Sequence, residues 1–146
     1  MSAVQRRTEV GGGLRTSAAS APSPLRVGLA LGVSWVTMLG HNLHELPLAV
    51  SDLENTGPLL VALVLSVAYW RRGGSRAVQW AILGWALLNL VIGGIVTVLP
   101  LPILPFVPEQ SLDHYLAHAV YTVGQVPLVL VAVAALRRPP HPHASH

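Results

Sequence analysis

The chain has 146 residues, of which 52% are hydrophobic and only 10% charged, and its mean hydropathy of +0.56 is far too high for an ordinary soluble domain of this size. The net charge of +3 rests on nine arginines confined to the tails, the start of the first apolar run and one short loop, which excludes a basic face for nucleic acid. The absence of cysteine excludes disulfides, thiolate metal sites and cysteine nucleophiles, leaving His, Glu and Asp as the candidate metal ligands.

Residues 1–24 are rich in Ser, Ala, Gly and Pro, carry Arg6, Arg7 and Arg15, and show no apolar period, so they read as a disordered tail. Arg6-Arg7 has the look of an export signal. The apolar run starts only at Leu25, however, and ends in a charged histidine cluster, so a cleaved leader is not expected.

Residues 25–46 form the first span, long enough at about 1.5 Å per residue to cross a hydrocarbon core of about 30 Å, and Pro47 stops it. Gly28 and Gly32 make a small-xxx-small pair, expected to pack against the other spans. Ser34, Thr37, His41 and then His44 and Glu45 fall on one helical face as a continuous polar stripe, which in lipid has to face protein or water.

Asp52 to Asn55 read as a short acidic loop, and Thr56-Gly57-Pro58 as the start of a second span over about 57–70, which is short for a bilayer. Tyr69 and Trp70 suit the headgroup level, and the segment from Arg71 to Arg76 is a tight basic turn. The third span, about 77–99, carries Gly84, Gly93 and Gly94 as close-packing points and Asn89 near its middle, where it needs a hydrogen-bond partner. Pro100, Pro102, Pro105 and Pro108 break up the next apolar stretch, which cannot propagate a helix and reads as an interfacial lid. Ser111 is a good N-cap for the fourth span, about 112–136, with Asp113 in its first turn. His114, His118, Tyr121 and Gln125 share one face of that span. Residues 139–146, rich in proline and histidine, form a second disordered tail.

The expectation is therefore an all-α polytopic membrane protein, a transmembrane bundle of four helices over 25–138, lodged in the lipid bilayer of the plasma membrane. Four spans put all nine arginines but only one acid on the same side. By the positive-inside rule, both termini are cytoplasmic, and Glu45, Asp52, Glu54, Glu109 and Asp113 lie at the outer leaflet.

The same sorting brings the end of the first span level with the start of the fourth, and in a short-looped bundle these are neighbours. His41, His44, Glu45, His114 and His118 are then expected to line one pocket under the proline-rich lid, a donor set suited to a transition metal or a haem. A second reading makes the histidines purely structural and the chain an accessory subunit of a larger membrane complex, or a homo-oligomer packed through Gly28 and Gly32. His44-Glu45 is followed by no histidine three residues on, and no nucleophile-elbow or phosphate-loop motif is present, so the sequence supports neither a zinc protease nor any particular enzyme class.

Overall fold

The computed structural model describes residues 21–72 and 74–137, so the two expected tails lie outside the described residues apart from positions 21–24. Among the described residues the chain is all helical, with α1 at Pro24–Glu45, α2 at Leu53–Arg71, α3 at Arg76–Leu87 and α4 at Leu112–Leu136. Each helix packs on the next, and α1 closes the ring on α4 through an extensive interface.

The helix ends follow local chemistry. Ser23 caps α1 by accepting from the Arg26 N–H at 3.3 Å, and Pro24 occupies the first turn, where its missing N–H costs nothing. Ser111 caps α4 in the same way, through the His114 N–H at 3.2 Å.

The second helix departs from expectation: it begins at Leu53, so the supposed acidic loop is its first turn and Pro58 lies inside it. Asn55 explains the early start. It is fully buried and tied three ways, donating to the Ala49 carbonyl at 2.8 Å, accepting from Asn42 Nδ2 at 2.9 Å, and receiving Trp35 Nε1 on its carbonyl at 3.0 Å. These partners lie on α1 and the preceding loop, so burying Asn55 docks the first turn of α2 against α1. The helix then has 19 residues and is not too short to cross a membrane.

The third helix also changes character along its length. From Leu88 to Ile95 it widens into a π-helix, and Val96–Val98 tightens to a 3-10 turn, giving one rod over Arg76–Val98. Asn89 Nδ2 bonds the Trp85 carbonyl at 2.8 Å and competes with the regular ladder. Gly93 and Gly94 then let α4 approach closely: an added Cβ would meet Tyr121 Oη at 2.6 Å or Thr122 Oγ1 at 2.5 Å.

Three helical segments, α2, the Arg76–Val98 rod and α4, are long and apolar enough to cross a membrane. α1 matches them with 22 residues but carries the polar stripe, which it turns onto α4. Arg26, Arg71, Arg72, Arg76 and Arg137 gather at one end of the bundle and Glu45, Asp52, Glu54, Glu109 and Asp113 at the other. The core of the arginine half is apolar: Val27, Leu31, Ile82, Ala86 and Leu128 are all at most 2% exposed.

Gly28 and Gly32 do not pack inside the bundle as expected, since a Cβ on either would meet nothing within 4 Å. The closest approach of α1 and α4 lies instead at Gly124, where an added Cβ would collide with the Thr37 side chain. Gly124→Ala is therefore expected to destabilise the protein by about 1–3 kcal/mol through overpacking, with Gly28→Ala neutral or mildly stabilising in the helix. Thermal unfolding in detergent of the two variants against the parent checks this; equal melting temperatures for the two alanine variants would contradict it.

Candidate functional site

The α1–α4 seam holds the buried polar side chains of Ser34, His114, His118 and Gln125, while Asn55 and Asn89 are buried on other helices. Its deepest element is Gln125, fully buried, which accepts from Ser34 Oγ at 2.5 Å and donates to the Ser34 carbonyl and Thr37 Oγ1 at 3.2 and 3.3 Å. One turn nearer the acidic end, Tyr121 donates to Asn89 Oδ1 at 2.9 Å, which supplies the partner Asn89 needs. His41 stacks on the Tyr121 ring at 5.4 Å with an interplanar angle of 7°. The polar face of α4, read at helical spacing, thus meets the polar stripe of α1 along its length.

The two histidine clusters meet at the acidic end. His41 and His118 lie edge to face with ring centroids 4.3 Å apart, and His118 and His114 repeat the contact at 4.6 Å. His114 Nδ1 donates to the Glu45 carboxylate at 2.5 Å, and His44 Nε2 donates to Asp113 Oδ2 at 3.0 Å. His44 Nε2 also lies 3.7 Å from Glu45 Oε1. The result is a row that begins in solvent at Asp113 and His44, whose side chains are 77% and 53% exposed, and runs inward through Glu45, His114 and His118 to His41.

A recess of about 390 Å³ opens beside the row, lined by His41, Glu45, His114, His118 and Thr97, with Phe106 and Pro108 of the proline-rich segment among its walls. That segment has no helix over residues 99–110 and leaves Ile103 and Val107 exposed. All five candidate residues named from the sequence, His41, His44, Glu45, His114 and His118, therefore come together. Their donor atoms do not all converge on one point.

The group whose ligand atoms lie within 4.8 Å of one another, among the described residues, is His44, Glu45 and Asp113. Asp113 was legible as a first-turn acid but not as a ligand; its signal is that it precedes His114 on the helix that starts level with the end of α1. As they stand, these rings touch one another and leave no gap for a macrocycle between two of them, so a bis-histidine haem would require them to separate.

Glu45→Ala would strand His114 Nδ1 in a site where the residue is only 9% exposed, an expected loss of about 1–3 kcal/mol. Asp113→Ala removes an exposed carboxylate and should cost less than about 0.5 kcal/mol. Paired denaturation curves test the contrast, and equal losses would show that the buried hydrogen bond is not what matters. No protein-family model, curated protein or solved structure matches this chain, so the site is read from its own residues.

Proposed function

We propose that this is a small metal-binding membrane protein that captures a divalent transition ion at the acidic end of its bundle. The observation that carries the reading is the convergence of His44 Nε2 with the Glu45 and Asp113 carboxylates within 4.8 Å. One imidazole and two carboxylates suit zinc, iron(II) or manganese, and need no thiol. A cation there takes the place of the proton that His44 shares with Asp113 and neutralises two acids that lie close together. His114, held by Glu45, braces that carboxylate from behind, as the partners of metal ligands do.

The distribution of charge supports an orientation with both termini and the 71–76 turn in the cytoplasm of a cell whose plasma membrane the bundle spans. The metal site then faces outward. A second reading, a non-catalytic subunit of a larger complex, draws on the open face of Gly28 and Gly32, which leaves room for a foreign helix. A partner retained through gentle-detergent purification would favour it.

Protein purified without a metal-affinity tag is expected to hold close to one transition-metal ion at this mouth, with affinity lowered at least tenfold by His44→Ala or Asp113→Asn. Occupancy should fall with acidification, because protons compete for the imidazole and carboxylates. Metal content unchanged by both substitutions would sink the reading. For the orientation, single cysteines at Glu54 and Gln110 should react with an impermeant thiol reagent in intact cells and one at Ser75 should not; the reverse pattern inverts the topology.

A further inference from the structure

The mouth leaves His41 and His118 without a role and uses His114 only through the Nδ1 that holds Glu45, and the surroundings of all three are those of ligands. On α4, both histidines have the same ring nitrogen engaged by an acceptor from another element: His114 Nδ1 donates to Glu45, and His118 Nδ1 donates to the Gly94 carbonyl at 3.3 Å. That pairing of Nδ1–H with a carboxylate or backbone carbonyl fixes the tautomer and leaves a lone pair on Nε2. The i, i+4 spacing puts both rings on one helical face.

On α4, His114 is nine-tenths buried, and its Nε2 has no hydrogen-bond partner. On α1, His41 Nδ1 is likewise buried without one. A polar atom kept from water and left unpaired is destabilising, and two of them in one three-ring row are hard to account for by packing alone. The π-helix adds to the pattern, since such segments occur often at functional sites, and this one supplies the Gly94 carbonyl.

We propose that His41, His114 and His118 form a second metal position, behind the mouth, which takes a divalent transition ion through three imidazole nitrogens. The inference deepens the metal-binding reading above and shares Glu45 with it, since that carboxylate is a ligand at the mouth and the partner of His114. Three neutral imidazoles favour zinc, nickel or copper(II) over the harder magnesium and calcium. The rings now meet edge to face and are not a group whose ligand atoms already lie within 4.8 Å of one another, so the ion has to draw them together from this contact.

Zinc titration by calorimetry of the metal-stripped full chain in nanodiscs tests the proposal. His141, His143 and His146 are replaced by alanine so that the tail does not contribute. Two zinc ions per chain are expected, with one event weakened at least tenfold by Asp113→Asn and the other abolished by His118→Ala. His118→Gln is run alongside, so that a folding defect in the alanine variant is not mistaken for a lost ligand. Copper(II) bound to the Asp113→Asn variant should show hyperfine splitting from three imidazole nitrogens.

A single ion lost with Asp113→Asn and indifferent to His118 overturns the second position and leaves the mouth standing. A single ion lost with His118 and indifferent to Asp113 supports the inner position and removes the mouth. One ion sensitive to both substitutions means a single shared centre and overturns the proposal, and no zinc at all overturns both.

Discussion

Inside a bilayer there is no water to satisfy a polar side chain, and the whole bundle is organised by that constraint. α1 carries Ser34, Thr37, His41, His44 and Glu45 on one face, and α4 answers with Gln125, Tyr121, His118, His114 and Asp113. Turning these faces together satisfies most of the polar groups at once, and it brings α1 and α4 into extensive contact. Apolar burial gives helices little reason to associate in lipid, where tails are as apolar as leucine, so close packing and hydrogen bonds have to do it. The tight contact at Gly124 and Thr37 and the Gln125–Ser34 pair supply one of each at nearly the same level.

The rest of the molecule completes this seam. α3 reaches α4 through Asn89 and Tyr121, at the cost of widening into a π-helix, and α2 is held to α1 through the buried Asn55. Each contact uses an amide side chain at a place where the helix ladder is irregular or beginning. Amides suit this role because each carries donors and an acceptor and can bridge two elements without introducing charge. The mouth is different. Its carboxylates lie where α1 ends and α4 begins, so Asp113 sits at the favourable positive end of one helix dipole and Glu45 at the unfavourable negative end of another, where a cationic partner is most useful.

Much of this was legible in the sequence. The fourth span, residues 112–136, came out at its observed limits because Ser111 and the run of Val and Leu mark both ends without ambiguity. The juxtaposition of the histidine clusters followed from spacing and charge sorting alone. The second helix was misread because Thr56-Gly57-Pro58 has the local form of a helix start, whereas the true start depends on Asn55 meeting Asn42 and Ala49, contacts no local pattern reveals. The π-helix was equally hidden, since it lies where Tyr121 and Thr122 of α4 approach Gly93 and Gly94, a contact no local pattern reveals. Gly28 and Gly32 resemble a packing motif and yet face outward, because the motif records that a helix can approach and not which one does. Asp113 reads in the sequence as a first-turn acid, and only the positions of His44 and Glu45 in space make it a candidate ligand.

The polar seam stops at Gln125 and Ser34, and beyond them Leu31, Leu128, Ile82 and Ala86 close the bundle to the arginine end. The protein therefore has a polar half and an apolar half, and the two divide an applied voltage unequally. Carrying one elementary charge across an entire membrane is worth about 2.3 kcal/mol per 100 mV. Most of that drop falls across the apolar half, below any ion held by the histidine row. For the proposed metal site this makes capture of a cation an electrically quiet event, governed by concentration on the acidic side and little affected by the energisation of the membrane.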